Sequence, residues 1–204
     1  MSIPSLKPRT AAGFTLIELL VVIAIIALLA SLTIGAFNYA TTAAARNRTS
    51  ATQAAIMAGL ERYNADFGEY PTPSAPDATA QFNNVSYPAG GAEMLYQALS
   101  GDGTSAIQLA SGGGRGSDGQ VDDSEAPNIK MADMPKEIWL LINNRYYIVD
   151  GFRKPFQYTK GGQPEAVNPT YDLWSFGQDD QNTNSVSVAM KTNPMVNSKW
   201  ITNW

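Results

Sequence analysis

From Leu19 to Leu32 the chain reads LLVVIAIIALLASL, and apolar character persists through Ile34, Ala36 and Phe37. A helix rises about 1.5 Å per residue, so about 20 such residues cross the hydrocarbon core of a bilayer. The stretch is read as a membrane-spanning helix. The segment before it, MSIPSLKPRTAAG, has Lys7 and Arg9 as its only charged side chains. By the positive-inside rule that leader stays in the cytoplasm and everything after the span faces outward. A secretory signal shares the basic start and apolar middle. Its best cleavage site here, Ile34-Gly35-Ala36, lacks the A-x-A pattern, and the apolar run is long for such a peptide.

Glu18 stands near the start of a segment that carries no other charge until Arg46. A carboxylate in lipid without a partner is costly or forced to protonate, and an intramembrane acid is a functional hypothesis by default. A Glu that reaches back to the headgroups is the competing reading.

Gly13-Phe14-Thr15-Leu16-Ile17-Glu18 followed by the apolar run resembles the processing site of type IV pilins and of the pseudopilins of type II secretion. The resemblance implies that a prepilin peptidase cuts after Gly13, that Phe14 becomes N-methylphenylalanine, and that Glu18 meets the terminal amine during assembly. An amine and a carboxylate in lipid are each costly alone and far less costly together. Removing residues 1–13 takes away Lys7 and Arg9, two of the fourteen basic side chains, and moves the net charge from −4 to −6. The exported part is acidic.

The segment from Asn38 to Phe67 contains no proline and is rich in helix formers, so the helix continues beyond a span at residues 14–40. Ile56, Leu60, Tyr63 and Phe67 form one apolar stripe that can cover a small sheet. Gly35 stands where many members of the family have a proline; a locally weakened helix and close packing of small residues are both open. The helix stops near Asp66-Phe67-Gly68. Residues 71–135 hold nine of the seventeen glycines and six of the twelve prolines, a loop region with one short helix at Ala92–Leu99. The cluster Gly112-Gly113-Gly114-Arg115-Gly116 lacks the Lys-Ser or Lys-Thr of a phosphate loop and reads as flexible. Asp118, Asp122, Asp123 and Glu125 read as a solvated loop. Residues 136–204 carry strand candidates at Arg145–Val149, Pro155–Tyr158 and Tyr171–Phe176, rich in aromatic and β-branched residues. Tyr147, Phe156, Tyr158, Trp174 and Phe176 are expected in the core. The fold expected is α+β and type IV pilin-like: a long amino-terminal helix, first transmembrane and then packed on a head at residues 41–204, with a small antiparallel sheet.

The second half extends the resemblance. Tyr70-Pro71, the AEMLYQAL helix, Asp150-Gly151 leading to Pro155-Phe156-Gln157-Tyr158, then Asp172-Leu173-Trp174-Ser175-Phe176-Gly177 with Asp179, and the terminal Ile201-Thr202-Asn203-Trp204 are similar in order to the major pseudopilin of type II secretion. The glycine-rich region is longer than that family needs, which leaves a paralogous or minor pseudopilin open. In the major pseudopilin the loop after the last strand binds calcium. The resemblance places that loop at residues 176–185, with the Phe176 carbonyl, Asp179, Asp180, Asn182, Asn184 and Ser185 as the oxygen donors a hard cation requires. No acid follows Asp180, so the site is weaker than the family's or is lost, and a solvated turn-rich loop is the other reading.

Composition sets the remaining bounds. The chain has no Cys and no His, which excludes a thiol or imidazole nucleophile, a disulfide scaffold and His- or thiolate-ligated metals. Fourteen basic against eighteen acidic side chains argue against a nucleic-acid partner. The expectation is a non-enzymatic pseudopilin, anchored once in the inner membrane with its head in the periplasm. Its expected partners are the prepilin peptidase, copies of itself and other pseudopilins in a helical fibre, the inner-membrane secretion platform and membrane lipid. A surface pilus subunit for adhesion, motility or DNA uptake shares every amino-terminal feature, although such pilins often close the carboxy-terminal region with a disulfide. A membrane-anchored hydrolase using Asp172 with Asp179 is the remaining alternative.

Overall fold

The computed structural model describes residues 13–110, 112, 114–121, 136–181, 184 and 186–204. The chain divides into two compact units, with the boundary between Thr42 and Ala43. Helix α1 (Leu16–Phe67) contributes residues to both.

In the first unit every residue from 13 to 41 is exposed, including the whole apolar run, whose most apolar window has a mean hydropathy of 2.8. The few hydroxyls turn back onto the helix itself. Ser31 donates to the Leu28 carbonyl at 2.8 Å, Thr33 to Leu29 at 2.9 Å and Thr41 to Phe37 at 3.1 Å. Each of these three hydroxyls is thus satisfied without water, as a lipid environment demands. Gly35 lies within the unbroken helix, and a Cβ there would meet nothing within 4 Å.

The second unit is an α+β head. Along α1, Thr49, Thr52, Gln53, Ile56, Gly59, Leu60 and Tyr63 are buried at helical spacing and form the face that packs on the sheets. Phe67, expected on that stripe, is instead 54% exposed, because the helix ends there and Gly68 turns away at φ 77°. Its ring rests 4.5 Å from that of Tyr63.

The short helix is α2 (Gly90–Ser100), closed by Gly101 at φ 80°, and the expected apolar positions Met94, Leu95, Ala98 and Leu99 are all buried. One small sheet was expected; among the described residues the head has three, all antiparallel. They are the hairpin β1 (Thr79–Phe82) with β2 (Val85–Pro88), the hairpin β3 (Trp139–Ile142) with β4 (Arg145–Ile148), and a three-stranded sheet of β5 (Gln157–Lys160), β6 (Tyr171–Ser175) and β7 (Ile201–Thr202) in that order. Both hairpins close on Asn-Asn pairs with positive φ, Asn83-Asn84 and Asn143-Asn144. Two residues of positive φ twist the turn as the flanking strands require, and Asn tolerates that region best after Gly. The ladder from β4 to β5 stops at a single bridge between Val149 and Pro155, since proline has no N–H to continue it.

The core has two lobes. Ile56, Leu60 and Tyr63 meet Leu95, Leu99, Ile148, Phe156, Tyr158 and Leu173 in one. Phe82, Tyr87, Tyr147, Trp174, Phe176 and Trp200 build the other. All five aromatic residues expected in the core are there. Asp102, wholly buried, ties down part of the glycine-rich stretch expected to be flexible, accepting from Tyr96 at 2.7 Å and from the N–H groups of Asp118 and Gly119 at 2.9 Å each. Of the acidic cluster, Asp118 is exposed, and Asp122, Asp123 and Glu125 lie outside the described residues.

Candidate processing site and carboxy-terminal loop

Gly13 and Phe14 precede the first turn of α1 as exposed, non-helical residues, with Phe14 85% accessible. Thr15 is the residue immediately before the helix, and Glu18 stands three positions on. The Thr15 N–H and hydroxyl both donate to the Glu18 carboxylate at 2.8 Å, and the Glu18 N–H donates back to the Thr15 hydroxyl at 3.3 Å. This is a capping box, in which two backbone donors that no helix can satisfy internally are satisfied by side chains. Its signature, Thr-x-x-Glu, was legible in the sequence and was not among the expectations. The box holds the carboxylate at the amino-terminal end of the helix, four positions after Phe14 in sequence.

A family comparison meets this geometry. Residues 8–34 match the model described as the prokaryotic N-terminal methylation motif. The chain carries a prepilin-type methylation motif. The motif indicates a type IV pilin-like protein, pilin or pseudopilin, and it implies processing by a prepilin peptidase and pilin-like assembly. It points to a structural part rather than a catalyst, and the apolar helix that follows it fits a membrane anchor. The α+β architecture, a long amino-terminal helix with small antiparallel sheets, is consistent with the type IV pilin-like fold. None of the curated proteins and none of the solved structures compared with the chain matches it.

The loop after β6 brings three of the expected oxygen donors close together. The Phe176 carbonyl accepts from the Asp179 N–H at 2.9 Å. The buried Asp179 carboxylate accepts from the Trp200 indole at 2.8 Å and the Gln181 N–H at 3.0 Å. Asp180 is exposed, and one of its carboxylate oxygens lies 2.6 Å from the ammonium of Lys154. That ammonium also donates to the carbonyls of Gly177 at 2.8 Å and Asp179 at 2.9 Å. Asn184 is exposed, and Asn182 and Ser185 lie outside the described residues. Calcium takes about six to eight oxygens at about 2.3–2.6 Å. The described oxygens do not fit such a cage: one carbonyl and one carboxylate are committed to N–H donors, and the other three converge on an amine. Among the described residues no three acids gather where they could hold a metal ion. Lys154 escaped the sequence reading because nothing in local spacing connects it to a loop more than twenty positions away.

The acids of the alternative hydrolase are engaged inside the head. Asp172 and Lys191 form a fully buried ion pair at 2.8 Å, and Asp172 also accepts from the N–H groups of Val167 and Asn168 at 2.8 Å each. Burial pulls the Lys191 amine below its ordinary range, and Asp172 opposes that shift. A cleft of about 680 Å³ runs past Asp77, Lys160, Glu165 and Trp174, and neither Asp172 nor Asp179 lines it.

Proposed function

We propose that this chain is a pseudopilin subunit of a type II secretion apparatus. After cleavage between Gly13 and Phe14 by a prepilin peptidase and methylation of the new terminus, α1 remains anchored in the inner membrane with the head in the periplasm. Copies of the chain, with other pseudopilins, then polymerise through the apolar half of α1 into a short periplasmic fibre on the inner-membrane secretion platform. Extension of the fibre moves substrates outward. The observation that carries this reading is the methylation motif running directly into a helix whose apolar surface nothing in its own unit covers. Twelve basic against eighteen acidic side chains in the mature chain fit a protein partner rather than a polyanion.

The test begins with mass spectrometry of the amino-terminal peptide of the native membrane protein. A chain starting at N-methylated Phe14 is expected; an intact Met1 or cleavage near Ala36 overturns the reading. Deleting the chain is then expected to stop export of enzymes across the outer membrane while leaving surface fibres unchanged. Loss of surface pili with normal export would assign the subunit to a surface pilus instead.

A further inference from the structure

We infer that the Lys154 ammonium is the built-in cation of the loop at residues 176–181, so that this head closes the loop without a divalent ion. An ammonium has three donors and no acceptor. Three oxygens meet it, the Gly177 and Asp179 carbonyls at 2.8 and 2.9 Å and the Asp180 carboxylate at 2.6 Å, so the donors are matched one to one. Two carbonyls and a carboxylate turned inward by a tight loop need a positive charge at their focus, and the lysine supplies it from inside the fold.

The lysine is held there at both ends. Its backbone N–H donates to Asp150 at 2.8 Å, and its side chain is 7% exposed. Asp150 in turn accepts from the Ser175 hydroxyl, which accepts from the Gly177 N–H at 2.8 Å. One network thus ties the turn that carries the lysine to the first residues of the loop it closes. The Asp179 carboxylate is held by other donors, the Trp200 indole at 2.8 Å and the Gln181 N–H at 3.0 Å. A divalent ion using the same three oxygens would have to expel a buried, fully hydrogen-bonded cation. Without that expulsion the two charges would share one site, and repulsion at such separations in a protein interior is severe.

The experiment uses the full chain in detergent and reads the loop directly. Acylation of amines, followed by peptide mass spectrometry, compares Lys154 with the exposed Lys199 in chelator and in millimolar calcium. Lys154 is expected to react at least about tenfold more slowly than Lys199 in both, as a group reachable only through local opening does. Thermal unfolding is expected at the same Tm in both. Reactive Lys154 in either solution overturns the inference, and so does a calcium-dependent rise in Tm of about 5–10 °C, the shift a well-occupied site would give a chain of this size. Lys154→Met keeps the aliphatic stem and removes the charge. It is expected to lower Tm by about 4 °C or more by stranding the two carbonyls, and an unchanged Tm would count against the inference. None of these readouts depends on where the amino terminus is cut, so this inference and the secretion reading stand or fall separately.

Discussion

At the residue scale, Glu18 has one task that the structure shows and a second that we propose, and mutation can separate them. As a hydrogen-bond acceptor it closes the capping box with Thr15. As a charge it can pair with an amine released at Phe14. Thr15→Ala removes most of the cap, at about 1 kcal/mol of local helix stability, and leaves the charge in place. Glu18→Gln leaves an acceptor and removes the charge. Incorporation into fibres, measured as the cross-linked fraction of membrane-bound chain, is expected to stay near normal for Thr15→Ala. For Glu18→Gln it is expected to fall at least about tenfold, since about 1.4 kcal/mol of lost pairing is enough for that. Cleavage after Gly13 is expected in both. Glu18→Ala is the harsher form and is expected to abolish incorporation while still being cleaved. Equal incorporation of all three variants would remove the charge from the assembly mechanism.

At the element scale, the turn at Asp150–Phe152 docks on α1 by a close backbone approach at Gly151. Gly151 donates to the Thr49 hydroxyl at 2.9 Å, that hydroxyl donates to the Ala45 carbonyl at 2.8 Å, and a Cβ on Gly151 would run into the same carbonyl. Gly151→Ala forces the turn off the helix and is expected to destabilise the head by about 1–3 kcal/mol, read from denaturant unfolding of the full chain in detergent. Elements differed in how far their residues announced them. The aromatic-rich run Tyr171–Phe176 reads as a strand, and β6 is buried along its length. Thr79–Phe82 and Val85–Pro88 are short and mixed in polarity, and their turn is Asn-Asn rather than the stronger Asn-Gly signal. They pair because Phe82 and Tyr87 find Tyr147 and Phe176 across the core, with ring centres 5.5 and 6.1 Å apart. Those partners are remote in sequence, so no local window contains the cause.

At the scale of the whole molecule, the head buries six of the chain's nine tyrosines, and this sets its response to alkali. Tyr63, Tyr87, Tyr96, Tyr147, Tyr158 and Tyr171 are all buried, and burial pushes each phenol above its ordinary range, with neighbouring carboxylates and phenols adding to the shift. The unfolded chain loses its phenolic protons at about pH 10, where the folded head still holds them. The native state then binds more protons than the unfolded one, so stability falls as pH rises past that point. Lys191 acts in the opposite sense, because its folded value is depressed and the unfolded chain binds the proton more tightly. Six phenols against one amine decide the direction. Tm is expected to decline steeply above about pH 10, with the phenolate absorbance of the six buried tyrosines appearing at the unfolding transition rather than before it. Phenolate absorbance that develops fully in the folded protein would contradict this.

The amino-terminal half was largely legible because its determinants are local. An apolar run, a glycine before a phenylalanine and an acid one turn further on are defined by neighbours in sequence and by a solvent, lipid, that the chain need not fold to meet. The same holds for the end of α1 at Gly68, for the face of α2 and for the aromatic strands, each dictated by periodicity and by residues that favour or break a helix. The carboxy-terminal loop was different. Its oxygens were visible as Asp, Asn and backbone carbonyls, and a cation was the natural partner to expect. Which cation meets them depends on Lys154, delivered from another turn by the Asp150–Ser175–Gly177 network. The division of the strands into three sheets, the burial of Asp172 against Lys191 and the anchoring of the glycine-rich stretch by Asp102 share that character. A buried charge or an unpaired strand edge is satisfied by whatever group packing brings within reach, and only the tertiary structure decides which group that is.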